Sequence, residues 1–340
     1  MKKKIAILMI LSLAFVSIAT GCGGGGNEDT EQTYTLTYNS IQGTESEFFK
    51  QVEEPFCKAL EELSDGRIQV EIYNSGSMAA QGEVYDAVIA GTVDMGWDNP
   101  GTYSGRFPMA AMIDQSGLGF ESSRMAGEIY KEYFDTYCQD EFSEVKMLVP
   151  YCIGPMAIAT TKKVDSLDAA KGLQIRSGGS TVDALSTLGF VPNSMAITEV
   201  YESIRLNMIS GVLCAVEAID GFNLDEVTNY AVLPTCFNGS QMIFMNKDVY
   251  ASLPEDLQAV VDQAAEETYQ VAIDFHDKRN AELFESLDFE VVKLSDEENA
   301  KWNDLTIKIT EEYAKSLDEK DLPGTEALNF IKDKVKAYNK

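Results

Sequence analysis

Histidine occurs once in the 340 residues, as His276, and tryptophan only twice. With no Cys-x-x-Cys pair in the chain, one histidine cannot complete a Cys/His zinc site. There is no Gly-x-Ser-x-Gly elbow and no glycine loop ending in Gly-Lys-Ser/Thr, so the common nucleophile and phosphate-binding signatures are missing. Basic residues are scarce: 27 Lys and Arg stand against 55 Asp and Glu, a net charge of −28. Such a surface repels a phosphate backbone and excludes nucleic acid as a partner. The imbalance is not disorder, because 45% of residues are apolar and 10% aromatic. Cysteine is limited to Cys22, Cys57, Cys138, Cys152, Cys214 and Cys236. Setting Cys22 aside leaves five, which cannot all pair internally and read as small buried apolar residues. The pairs Glu53-Glu54, Glu61-Glu62 and Glu266-Glu267 fall on helical stretches and read as solvated faces. His276, flanked by Asp274 and Asp277, reads as an exposed or interdomain hydrogen-bonding residue rather than a base. Nothing here marks an enzyme.

Long apolar runs are also missing, with one exception. Ile5 to Ile18 is nearly unbroken, preceded by Lys2, Lys3 and Lys4 and followed by Ala19-Thr20-Gly21-Cys22. Residues 1–21 therefore read as a secretory signal, too short and wrongly flanked to span a bilayer. The small residues before Cys22 resemble a bacterial lipobox, which implies cleavage there and diacylation of Cys22. Residues 22–33 are glycine-rich and then polar, a flexible tether. Two acyl chains hold a protein on a membrane far better than one. The expected location is extracytoplasmic, lipid-anchored on the periplasmic side or on the outer face of the cytoplasmic membrane. Roughly 310 residues remain, enough for two domains.

Tyr34 to Tyr38 and Ile68 to Ile72 alternate as strands, and Val93 to Trp97 reads as a third. Between them Phe48, Val52, Phe56, Leu60 and Leu63, then Val84, Val88 and Ile89, recur at helical spacing. Pro55 is expected to kink the first of these helices. The β-α-β-α-β order implies a parallel sheet. A second set starts near Pro150. It has strands at Ile158–Thr161, Leu173–Arg176, Gly211–Glu217 and Gln241–Met245, with helices at Ser180–Leu188 and Glu199–Met208. From Pro254 to about Leu287 one apolar face continues for nearly 50 Å of helix, longer than a small domain. Ser295 with Glu298 reads as a capping box that opens a further helix. The fold class is α/β with two lobes: residues 34–150, with part of 240–285 returning to them, and residues 151–239. A long helix over 254–287 braces both lobes, and helices in 288–340 pack on them.

Five segments resemble the solute-binding subunits of TRAP transporters, the DctP family. They are Val70-Glu71-Ile72-Tyr73-Asn74-Ser75-Gly76, Ile89-Ala90-Gly91-Thr92-Val93-Asp94-Met95-Gly96, and Lys171-Gly172-Leu173-Gln174-Ile175-Arg176. After these come Leu188-Gly189 with Pro192 and Ile197-Thr198-Glu199-Val200-Tyr201, then Asp225-Glu226-Val227-Thr228-Asn229-Tyr230. The resemblance covers residues 34–300. It implies a periplasmic-binding-protein-like fold whose two lobes close on a ligand in the cleft between them. The closed receptor would dock on membrane permease subunits, with uptake driven by an ion gradient and no cofactor required. It further implies that Arg176 grips a carboxylate, for which a planar guanidinium offers two parallel donors.

Other positions carry over as candidate contacts: Asn39, Trp97, Asp98 and Asn99 at strand ends, Ile197 where a ring often packs on the ligand, and Tyr151 and Phe237. Two departures bear on the ligand. Met156 stands where many members have a second cleft arginine, and Cys214 stands for an asparagine in the run Gly211-Val212-Leu213-Cys214. A less cationic pocket points to a monocarboxylate with an apolar or aromatic body. An amino-acid-like zwitterion, its amine on Asp98, is the next choice. The competing reading is a receptor for an ABC importer or a sensor that takes an organic acid or amino acid. Neighbouring genes discriminate, since an adjacent ATPase favours the importer.

Overall fold

The first strands pair as their alternation implies, and a later strand then reverses the direction of the sheet. The computed structural model describes residues 32–103, 105–178, 181–286 and 289–338. Sheet one holds β1 (Tyr34–Asn39), β2 (Ile68–Tyr73), β3 (Met95–Asp98), β4 (Val145–Ile153) and β10 (Gly239–Asn246) in the order β2-β1-β3-β10-β4. Sheet two holds β5 (Ala157–Thr160), β6 (Gln174–Ser177), β7 (Val191–Ser194), β8 (Gly211–Cys214), β9 (Tyr230–Val232) and β11 (Glu290–Val292) in the order β11-β9-β5-β8-β6-β7. β1 is parallel to β2 and β3, as expected, but β10 runs antiparallel to both β3 and β4. β10 enters sheet one from sheet two rather than through a helical crossover, so the parallel rule does not bind it.

The helices are α1 (Glu54–Leu63), α2 (Val84–Ile89), α3 (Ser123–Tyr137), α4 (Leu167–Ala170), α5 (Thr181–Thr187) and α6 (Val200–Arg205). They continue with α7 (Val216–Gly221), α8 (Lys247–Ser252), α9 (Glu255–Ser286), α10 (Asp296–Asp318) and α11 (Gly324–Tyr338). α9 has 32 residues. Its Leu257, Val261, Ala264 and Ile273 pack with Tyr38 and Ile243 of sheet one, whereas Leu283 packs with Val212 and Ala231 of sheet two. α10 is a second brace. Trp302 meets Phe190 edge-on at 5.9 Å near sheet two, and Ala314 and Leu317 join the core beneath α3 and α11.

Several local expectations need correction. Pro55 lies in the first turn of α1, not at the middle of a longer α-helix. A π-helical turn over Phe49–Glu53 precedes α1 and widens the backbone where the missing proline N–H would have donated. Glu53 is not solvated but fully buried, with Tyr38 Oη donating to Oε1 at 3.0 Å and Ser40 Oγ to Oε2 at 2.7 Å. The capping box is half made. Ser295 Oγ accepts from Glu298 N, but the Glu298 carboxylate accepts from Leu167 N at 2.7 Å and so ties α10 to α4. The strand expected to reach Glu217 stops at Cys214, and α7 begins at Val216. The long stretch before Pro150 also holds α3 and β4. β4 carries Pro150 and runs on to Ile153, past the expected boundary at 150. It is an edge strand, where a missing N–H costs no ladder bond. The five cysteines from Cys57 onward are free and buried.

Candidate ligand-binding site at the junction of the two sheets

Ligands of open α/β sheets sit beyond the carboxyl ends of the strands, and the candidate residues cluster at those ends. In sheet one most of them are committed to the protein itself. Asn39 ends β1, fully buried, and its amide is spent on Met78 N, Ala79 N and Ala79 O. Asp98 ends β3 and accepts from Gly82 N at 2.9 Å, Asn99 N at 2.8 Å and Tyr103 Oη at 2.5 Å. Burial pushes its carboxyl above the usual range, against those three bonds. Asp98 thus anchors the loops that carry Gly82 and Tyr103. Asn99 donates to Ser240 O and accepts from Gln81. Cys22 lies outside the described residues.

Trp97 is 5% exposed and belongs to the sheet-one core. Its Nε1 donates to Tyr151 Oη at 3.0 Å, and Tyr151 Oη donates to Gln241 Oε1 at 2.5 Å. Phe48 packs on Trp97 and on His276, each at 5.6 Å, and Tyr151 stacks on His276 at 5.9 Å. An aromatic wall thus closes this end of sheet one. Tyr151 and Gln241 were not both foreseen. Tyr151 was an expected candidate, while Gln241 and Phe48 carry no signal beyond core periodicity.

Sheet two contributes Arg176. Its neighbours Ile175 and Leu213 face one apolar cluster, whereas Val212 and Cys214 face the other. Strand alternation puts Arg176, level with Val212, on the face with Cys214 and Ile197. Met195 O accepts from Arg176 Nε at 3.0 Å. That bond fixes the plane of the guanidinium and leaves both terminal amino groups unpaired among the described residues. The chain has six arginines, and Arg67, Arg106, Arg124, Arg205 and Arg279 each have a carboxylate partner. Arg176 alone has none among the described residues. Burial draws its guanidinium below the usual arginine range, the mark of a cation held partly out of water without a counter-ion. Cys214, buried beside it, stays a thiol. Burial lifts it to about 12, with the Arg176 charge opposing.

Two further candidates lie elsewhere. Phe237 is 1% exposed and packs with Trp302, Leu185 and Cys236 on the opposite face of sheet two from Arg176. Met156 is half-buried against that same cluster, its N–H donating to Phe237 O at 2.8 Å where the chain passes between sheets. One residue of the junction, Glu217, carries no signal in the sequence. Glu217, in the first turn of α7, has Oε1 3.3 Å from Nδ1 of His276 on α9. His276 is 1% exposed, so it lies inside the fold and not on the surface. A separate cavity of ≈ 440 Å³ opens between α3, β4 and α9. Its cations are already engaged: Lys131 by Glu266, Lys146 by Asp262 and Lys247 by Ser143 O.

Comparison with known proteins identifies the family and the fold. The family model for bacterial extracellular solute-binding protein, family 7 (DctP), matches residues 38–316. A solute-binding protein of Roseobacter denitrificans, RD1_1052, is 27% identical over 221 residues, 62% of this chain and 66% of that protein. The fold overlays a marine metagenome TRAP solute-binding protein specific for aromatic acid ligands, in complex with metahydroxyphenylacetate. That pair has a TM-score of 0.82 and 23% identity, covering 90% of this chain and 99% of the other. A TRAP solute-binding protein from Rhodoferax ferrireducens, in complex with copurified benzoate, overlays with a TM-score of 0.81 and 20% identity, covering 90% and 99%.

Proposed function

The chain belongs to family 7 of the bacterial extracellular solute-binding proteins, the DctP family of TRAP receptors, and on that premise we propose that it captures a small monocarboxylic acid with an aromatic or apolar body. The receptor then delivers the acid to the integral membrane subunits of a TRAP-type transporter. The observation that carries this reading is Arg176, the one arginine with no carboxylate partner among the described residues, held at the junction by Met195 O with two amino groups to spare. A carboxylate supplies the missing counter-ion, and the pair strengthens as water leaves. Neutral Cys214, on the same face as Arg176, adds no second cation there, which speaks against a second carboxylate on the ligand. Phe48, Trp97 and Tyr151 make the sheet-one side of the junction aromatic, a surrounding suited to an apolar or aromatic ligand body. Solved structures of the same fold hold benzoate and metahydroxyphenylacetate.

Isothermal titration with benzoate, mandelate, succinate and malate tests the reading. Monocarboxylates should bind more tightly than the dicarboxylates, and Arg176→Ala should weaken them at least 100-fold while the circular dichroism spectrum is unchanged. Preference for succinate or malate, or unaltered affinity in the variant, overturns it. Anchoring through diacylated Cys22 belongs to the same proposal. The mass of the detergent-extracted receptor checks it, and a chain beginning at Cys22 without acyl mass rejects it.

A further inference from the structure

Arg176 accounts for one end of a ligand, and the same junction holds a second polar group that packing does not explain. By strand geometry Cys214 lies about 8 Å from Arg176, one strand across and two residues along from Val212. Ala215, the next residue, packs against the sheet-one core, so the chain at this point faces the other sheet. Glu217 follows within the first turn of α7 and keeps 24% of its side chain exposed. Its partner His276 is unusual. Nδ1 approaches Glu217 without hydrogen-bond alignment, and Nε2 has no partner among the described residues although the ring is 1% exposed. Buried polar atoms are almost always paired, so an orphaned imidazole at a junction marks an unfilled arrangement. A second tie between the same elements, Arg279 to Asp220 at 2.7 Å, already holds α7 on α9, so Glu217 and His276 are not needed for that.

Glu217 stays ionised. Burial lifts its carboxyl, but the groups around it, His276 first, then its backbone N–H and Arg279, outweigh that and hold it below the usual range. An ionised carboxylate is an acceptor with about four lone-pair sites, and His276 and the Glu217 backbone N–H leave others for a ligand donor. We infer that Glu217, positioned by His276, accepts a hydrogen bond from a hydroxyl carried on the ligand ring away from its carboxylate, so that the receptor selects hydroxylated aromatic monocarboxylates. The inference rests on the reading of Arg176 as the carboxylate site. Its physical basis is asymmetric selectivity. A site built to bond a hydroxyl rejects the analogue that lacks it, because the buried acceptor is left unpaired.

The experiment compares benzoate with 3-hydroxybenzoate and 4-hydroxybenzoate by titration on the wild-type receptor and on Glu217→Ala and Glu217→Gln. At least one hydroxy acid should bind 10-fold or more tightly than benzoate. In Glu217→Ala that ratio should fall to within about 2-fold of one, and Glu217→Gln, which keeps an acceptor oxygen, should lie between. The ratio compares ligands that differ by one hydroxyl, so a merely structural role for Glu217 would not move it. If Glu217→Ala fails to fold, Glu217→Gln carries the test, its ratio falling at least 3-fold. Wild-type binding of all three acids at equal affinity overturns this inference and leaves the Arg176 reading standing, as does a ratio that survives both substitutions. No binding of any of the three overturns both.

Discussion

The most unexpected single residue is Glu53. An acid in a helix whose neighbour is another acid reads as surface, yet its side chain lies under sheet one between Tyr38 and Ser40. Burial lifts its carboxyl to about 7, with both hydrogen bonds pulling the other way. A folded-state value above the unfolded one means that the native state holds the proton more tightly. This contribution to stability is therefore complete below about pH 4.5 and is lost as pH rises toward 7, by about 3 kcal/mol. Glu53→Gln mimics the protonated acid and removes the dependence. Thermal melts at pH 5 and pH 8 should show the variant gaining on the wild type as pH rises. An equal difference at both values would mean that Glu53 is ionised in the folded protein at pH 5. Asp114, buried and lifted by burial to about 6, adds a loss of the same sign.

At the scale of elements, β8 is the strand on which the site depends, because it carries Cys214 and aligns Arg176. Its first residue is Gly211, and a Cβ there would lie 2.1 Å from Ala159 O and 2.9 Å from Thr160 Cα, both backbone atoms of β5. Backbone cannot swing aside as a side chain can. Gly211→Ala should lower the urea midpoint by the equivalent of more than about 2 kcal/mol with little change in slope. Gly221→Ala, with nothing within 4 Å, should stay within about 0.5 kcal/mol. Equal midpoints for the two would refute the steric argument. The elements themselves were unevenly legible. α9 could be read end to end because its apolar face persists for many turns. β4 could not, since Pro150 argues against a strand and only the sheet order reveals that the strand lies at an edge. The site was harder. Asn39 and Asp98 have the polarity and strand-end placement of ligand contacts, but their partners are loop groups such as Ala79 and Gly82, distant in sequence or set by local turns. Whether a polar group is left open or used by its own fold depends on such contacts, and periodicity does not encode them. Glu217 and His276 meet across two elements that neither a motif nor a spacing connects.

For the molecule as a whole, the charge balance sets a problem for a receptor of anions. The chain carries −28, and loss of the signal region would remove three lysines more. An approaching carboxylate therefore meets a repulsive far field before it reaches the local attraction of Arg176. Repulsion between exposed charges is long-ranged only at low salt, where the Debye length is about 30 Å at 0.01 M against about 10 Å at 0.1 M. Arg176 is half-buried and acts at contact, where screening is weak. The two fields thus separate by range. Salt should remove the repulsion and spare the grip, so the association rate for a monocarboxylate should rise by about 2- to 5-fold between 10 and 150 mM sodium chloride while dissociation changes little. This is the reverse of ordinary electrostatic steering. Stopped-flow quenching of tryptophan fluorescence, with Trp97 adjoining the junction, reads both rates. An association rate that falls with salt would mean that the positive potential of Arg176 reaches beyond the junction and dominates the acidic surface around it.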